Sequence, residues 1–181
     1  LWDKSLKTIV NNESSQIIRL FNTAFNDITG NHDDYYPEKD RQAIDALNAR
    51  IYDTVNNGVY QCGFARTQSS YDHAVTDLFS TLETLEEILS KNRYLLGETL
   101  TEADLRLIPT LLRFDPVYVT HFKCNIKRLI DYPNLSRYIT ILRKIPAIEE
   151  TTHMKHIKRH YYYSHKMLNP NQIIPKGPEL F

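Results

Sequence analysis

After Pro37 the apolar residues recur every three or four positions, and this spacing is what most limits the fold. A chain patterned this way buries its apolar atoms by packing helix stripes against one another. Pro37 suits a first helical turn. Ile44, Leu47, Ile51 and Val55 form one stripe, which Asn56-Asn57-Gly58 is expected to end. A loop is expected over 59–67. Tyr71, Val75, Leu78, Phe79, Leu82, Leu85, Ile88 and Leu89 predict a long amphipathic helix, and Tyr94-Leu95-Leu96-Gly97 a turn. Thr101-Glu102-Ala103-Asp104 is the clearest local signal. Thr101 can cap a helix, Asp104 can reach back to the Thr101 amide, and Leu100 and Leu105 can staple the entry. Leu107, Ile108, Leu111 and Leu112 then predict a central, buried helix. Pro116, Pro133 and Pro146 punctuate three further segments.

The chain begins differently. Leu6, Ile9 and Val10, set among charged positions, read as one or two short strands. Asn11 to Ser15 then opens a helical pattern of Ile17, Ile18, Leu20, Phe21 and Phe25, closed by Thr29-Gly30-Asn31. The expected organisation is a strand-and-helix piece over 1–30, a linker over 31–36, helices over 37–168 and an irregular tail over 169–181. The fold class is mainly α.

Charge excludes some partners. Acidic and basic residues balance at 22 each, so no global field points to nucleic acid or an anionic membrane. No apolar run approaches the roughly 20 residues of a membrane span. Leu1-Trp2-Asp3-Lys4 lacks the basic and apolar regions of a signal peptide, and without an initiator Met the chain reads as a fragment. Two cysteines, Cys62 and Cys124, make no disulfide framework and suggest a reduced, cytoplasmic protein. Nothing adjacent acidifies either thiol, so both read as small buried hydrophobes. His153, His156 and His160 share a helical face, with His165 beyond. No Cys or carboxylate at ligand spacing joins them and Lys155, Lys158, Arg159 and Lys166 surround them, so they read as a solvated basic face rather than a metal site.

Two motifs resemble the glutathione transferase superfamily, which joins a thioredoxin-like domain to an all-helical one. They are Asn12-Glu13-Ser14-Ser15 at a strand-to-helix junction and Gly97-x-x-x-Thr101-x-Ala103-Asp104 in the helical part. Further segments resemble one branch, the glutathionyl-hydroquinone reductases or xi class, relatives of the omega class. These are Asn56 to Ala65, Arg113 to Tyr118, His121-Phe122-Lys123-Cys124, His156 to Tyr162 and Asn169-Pro170. The resemblance covers essentially the whole chain. It departs in one respect: the family's Cys-Pro motif and cis-proline would lie upstream of Leu1, so no catalytic thiol is expected within these residues.

The resemblance implies glutathione as co-substrate, aromatic glutathionyl-hydroquinones as substrates, no metal and a homodimer. It implies that Glu13 and Ser14 hold glutathione. A carboxylate beside a helix N-terminus suits the γ-glutamyl end, where Glu13 can pair with the ammonium while Ser14 and free N–H groups take the carboxylate. Read from the residues alone, the same motif is a plain helix cap, with Ser14 or Asn12 satisfying the backbone. Tyr60 and Tyr161 match family positions that hold the aromatic substrate. Tyr161 shares a stripe with Met154 and Ile157, which a core tyrosine would also do. Tyr36, Tyr118, Tyr162 and Tyr163 are further aromatic candidates. Two alternatives stay open: an omega-like thioltransferase or dehydroascorbate reductase, and a non-enzymatic module on the transferase fold.

Overall fold

The computed structural model describes residues 1–178; residues 179–181, the end of the expected irregular tail, lie outside the described residues. Two short strands, β1 (Trp2–Asp3) and β2 (Thr8–Ile9), pair antiparallel with Trp2 opposite Ile9. Helix α1 (Ser14–Thr23) and the single turn α2 (Asn26–Thr29) follow, and Gly30 closes them at φ +67°, a left-handed conformation that glycine adopts without strain.

The helical body begins with a 3₁₀ turn at Glu38–Asp40 and α3 (Arg41–Ile51). It does not stop at Asn56-Asn57-Gly58. A π turn over Tyr52–Asn56 carries the chain directly into α4 (Gly58–Gly63). The expected 59–67 loop is therefore mostly helix. Gly63 is needed for contact rather than for a turn: a Cβ there would lie 2.3 Å from the Phe122 ring.

The long helix α5 (Gln68–Lys91) is the spine. Its stripe of Val75, Leu78, Phe79, Leu82, Leu85 and Leu89 is buried as the spacing predicts. It packs on α4 and on α8 (Pro133–Arg143). Glu86 of α5 caps α8 by accepting from the Asn134 amide (2.9 Å) and the Leu135 amide (2.7 Å). A carboxylate on those orphan N–H groups fits the positive end of the helix dipole.

Helix α6 (Glu102–Arg113) is central, as its sequence predicts, and is followed by a second π turn at Phe114–Tyr118 and by α7 (Val119–His121). Asp104 accepts from the Thr101 amide at 2.8 Å, the reach-back expected of this motif. Pro133 and Pro146 each open a helix, α8 and α9 (Pro146–Thr151). The last helix, α10 (Met154–Ser164), lays Tyr161 and Tyr162 into the core.

The N-terminal piece is held to this body through Arg19 of α1. Its guanidinium bonds both oxygens of the buried Glu102 and also Asp45, and lies 3.9 Å over the Tyr36 ring. The Glu102 amide donates to Tyr35 at 2.7 Å. An Arg fork on a mostly buried carboxylate fixes orientation as well as contact, so the start of α1 has a defined position over α3 and α6.

Candidate functional site

Glu13 is the N-cap of α1. Its Oε1 accepts from the Ser15 amide (3.2 Å) and the Ser15 hydroxyl (2.8 Å), and these bonds hold its pKa below the ordinary carboxylate value. Oε2 takes no bond among the described residues, and neither does the Ser14 hydroxyl; both residues are exposed. The cap and the possible ligand site thus coexist: one oxygen finishes the helix and the other faces out. Glu13, with Ser14 and Phe21 of α1, lines a cleft of about 680 Å³ whose other wall carries Tyr52 and, from α6, Leu105 and Arg106.

Tyr60 and Tyr161 do not line that cleft, but the fold brings them together. Residues 101 positions apart meet with their hydroxyls 2.6 Å apart. Tyr60 projects from α4, which the Tyr52–Asn56 π turn aims. Asn56 pins that turn by bonding the Arg106 carbonyl (3.2 Å) and the Thr110 hydroxyl (3.0 Å) of α6. Such turns are common where a helix must re-aim a functional side chain. Tyr161 is buried and Tyr60 is half-exposed, so the pair runs from the core to the surface. Burial pushes the Tyr161 phenol up to about 12; the bond from Tyr118 opposes that shift. Tyr161 therefore stays a proton donor at neutral pH.

Of the further aromatic candidates, one joins this hydroxyl pair. Tyr118, at the end of the second π turn, places its hydroxyl 2.8 Å from that of Tyr161. Tyr162 turns the other way, its hydroxyl 3.4 Å from the Pro116 carbonyl. Tyr36 bonds Asp45 far from this cluster, and Tyr163 is exposed.

Two histidines lie against the cluster. His121 Nε2 and His165 Nδ1 are 3.2 Å apart with stacked rings, and His165 sits edge-on to Tyr161 at 5.6 Å. The pair ties α7 to the end of α10. Burial, with His165 and Lys123 nearby, lowers the His121 pKa to about 4, while the Tyr161 carbonyl works in the opposite direction. Burial and His160 lower that of His165. A folded-state pKa below the ordinary 6.5 means that the unfolded chain takes up the proton first. Stability from His121 is then complete above about pH 6.5 and falls as the pH drops toward 4, by up to about 3 kcal/mol. His121→Asn, which cannot titrate, is expected to flatten the stability profile between pH 7 and 4.5 in urea melts. An unchanged slope would show that His121 does not control this range.

His153, His156 and His160 are exposed, and among the described residues no three His, Cys, Asp or Glu converge on a metal-sized site. Cys62 and Cys124 are free and buried at 2% and 0% exposure, and Cys62 together with burial pushes the Cys124 thiol up. Neither is presented to a ligand. No helix among the described residues is long and apolar enough to cross a membrane.

Comparison with known proteins supplies the class first. Residues 68–140 match the glutathione S-transferase, C-terminal domain. The chain is 53% identical over 178 residues to the glutathionyl-hydroquinone reductase PcpF of Sphingobium chlorophenolicum, covering 98% of this chain and 57% of that protein. The glutathione-bound structure of YqjG, a glutathione transferase homolog from Escherichia coli K-12, superposes with a TM-score of 0.96 at 54% identity, covering 98% of this chain and 57% of that one. The glutathione S-transferase Xi from Phanerochaete chrysosporium gives the same TM-score and identity, with 98% and 61% covered. The chain is thus a glutathione transferase by fold. Within that superfamily it is similar to glutathionyl-hydroquinone reductases and xi-class transferases, and it spans a little over half the length of those relatives.

Proposed function

We propose that this chain supplies the glutathione and hydroquinone sites of a glutathione-dependent reductase of S-glutathionyl-hydroquinones, and that the nucleophilic thiol comes from residues outside it. The observation that carries this reading is the Tyr60–Tyr161 hydroxyl pair, buried at one end and open at the other. Two phenols so placed can donate to the ring oxygens of an aromatic substrate as charge builds there. In this reading residues 1–30 belong to the thioredoxin-like, glutathione-binding part and 37–168 to the helical domain.

The chemistry balances in three steps. A cysteine thiolate attacks the sulfur of the glutathionyl group, forming an S–S bond and breaking the S–C bond. The hydroquinone leaves with the electron pair on carbon and is protonated there. A second glutathione thiolate then attacks the mixed disulfide, releasing glutathione disulfide and the enzyme thiolate. Tyr60 and Tyr161 hold the ring and stabilise its developing charge; Glu13 and Ser14 hold the γ-glutamyl end. The resemblance extends the proposal to a homodimer, and the free, buried Cys62 and Cys124 fit a reduced, cytoplasmic location.

The test is turnover by the full-length protein. Supplied with glutathione and an S-glutathionyl-hydroquinone, it is expected to release one hydroquinone for each glutathione disulfide formed. Reduction of small disulfides or dehydroascorbate without that reaction would favour the omega-like alternative. Failure to bind glutathione at all would favour a binding module.

Glu13→Ala is expected to weaken glutathione binding roughly ten- to a hundredfold, because one charge-assisted hydrogen bond to the ammonium is lost. Calorimetric titration of the folded full-length variant checks this. Unchanged affinity would leave Glu13 as a helix cap alone.

A further inference from the structure

The balanced total of 22 acidic and 22 basic residues hides an uneven distribution. Between Glu150 and Glu179 there is no acidic residue, while Lys155, Lys158, Arg159, Lys166 and Lys176 all fall there. The acids that balance them lie elsewhere along the chain. None of the five makes an ion pair among the described residues. Lys155, Arg159, Lys166 and Lys176 are exposed, and Lys158 is half-buried.

The fold gathers these cations on one structure. The chain leaves α10 and doubles back along it. The Asn169 side-chain amide donates to the Tyr162 carbonyl (2.8 Å) and that of Gln172 to the Tyr163 carbonyl (3.1 Å). The Lys158 ammonium donates to the Lys176 and Gly177 carbonyls, 3.3 Å from each. The turn and the returning segment carry aliphatic side chains that no core covers. Met167, next to Lys166, is 80% exposed, and Ile173, next to Gln172, is 68% exposed. Tyr163 is exposed too, with the Arg159 guanidinium 5.5 Å over its ring. One exposed apolar side chain is ordinary; several set among unpaired cations mark a contact surface.

We propose that α10 and the segment folded back on it form a docking surface for an anionic lipid bilayer. The cations meet headgroup phosphates, while Met167 and Ile173 enter the boundary between headgroups and acyl chains. Charge complementarity alone would suit any polyanion, and the aliphatic side chains decide between them. A nucleic-acid backbone would use the cations but offers nothing to an isoleucine or a methionine; an acyl boundary uses both. Five basic residues are within the range that holds a protein at an anionic leaflet. Tyr161 and Tyr162 occupy the buried face of the same helix, so the docking face is the opposite one. The proposal does not depend on the reading of the glutathione and hydroquinone sites.

Sedimentation of the full-length protein with lipid vesicles tests this. Wild type is expected to bind vesicles of phosphatidylcholine and phosphatidylglycerol in equal parts at least about tenfold more tightly than vesicles of phosphatidylcholine alone. Lys155→Gln, Arg159→Gln and Lys166→Gln together should lower binding to the mixed vesicles roughly a hundredfold, at about fivefold for each cation. Met167→Gln with Ile173→Gln should lower it roughly tenfold and leave binding to heparin, a polyanion without acyl chains, unchanged. All five positions are exposed and outside the proposed reductase machinery, so both variants should keep wild-type helical circular dichroism and turnover. No preference for the anionic vesicles in wild type would overturn the proposal. So would full vesicle binding by the apolar variant, which would make the face a general polyanion site. Loss of a protein dimer rather than of vesicle binding in the charge variant would also overturn it, by assigning the face to a second copy of the chain.

Discussion

Asp104→Ala is expected to destabilise the helical body by at least about 3 kcal/mol. The carboxylate is fully buried and satisfies four donors. Oδ1 accepts from the Leu95 amide (3.0 Å) and the Tyr138 hydroxyl (2.7 Å); Oδ2 accepts from the Thr101 amide (2.8 Å) and the Thr101 hydroxyl (3.0 Å). Alanine leaves all four without a partner in a place water does not reach, and each buried orphan costs about 1–3 kcal/mol. The loss is a large share of a typical total of about 5–15 kcal/mol. It also uncouples three elements at once: the turn after α5, the start of α6 and the middle of α8. Asp104→Asn should cost less, since its amide keeps one accepting oxygen. Urea unfolding followed by helical circular dichroism measures this, and a midpoint change worth less than about 1 kcal/mol would show that water or repacking fills the site.

This position was readable because its signal is local. Thr101 and Asp104 are three residues apart, so capping chemistry names both partners. The α5 stripe was readable for a similar reason: periodicity says which face of a helix is apolar, and one long face needs no other information. The segment after Asn56 was not. Asn57, Gly58 and Gly63 look like helix breakers, yet Asn57 links the π turn to α4 and Gly58 opens that helix. Gly63 is there because Phe122, 59 positions on, occupies the space a side chain would need. Spacing likewise places Tyr161 on a buried stripe without saying what it meets. Tyr118 and His121 reach their partners across 43 and 44 residues, and no short-range rule pairs them. Glu13 shows the limit from the other side. The motif reads as a cap made by Ser14 or Asn12, whereas the geometry gives the cap to Glu13 and leaves its second carboxylate oxygen without a partner among the described residues.

The second large effect is expected at Tyr161. Phenylalanine keeps the ring and its packing against Tyr118 and Phe122, at 5.5 and 5.9 Å, and deletes only the hydroxyl that links Tyr60 to Tyr118. If that hydroxyl donates to a ring oxygen whose charge grows in the transition state, its loss lowers kcat and kcat/KM together. One preorganised donor is worth about 2.7–4 kcal/mol in a dry site, and less where one end is open, as it is at Tyr60. A ten- to roughly thousandfold loss follows for aromatic substrates. Reduction of a small glutathione mixed disulfide needs no ring contact and should proceed nearly as before. A core tyrosine with no part in the reaction would instead lower the melting temperature and slow both substrates equally.

The most direct test is a ratio measured on full-length protein: kcat/KM for an S-glutathionyl-hydroquinone divided by kcat/KM for a small glutathione mixed disulfide, in wild type and in Tyr161→Phe. A site built to hold the hydroquinone ring predicts that the variant lowers this ratio at least about tenfold. An unchanged ratio, in a variant that folds and still reduces the small disulfide, would contradict it.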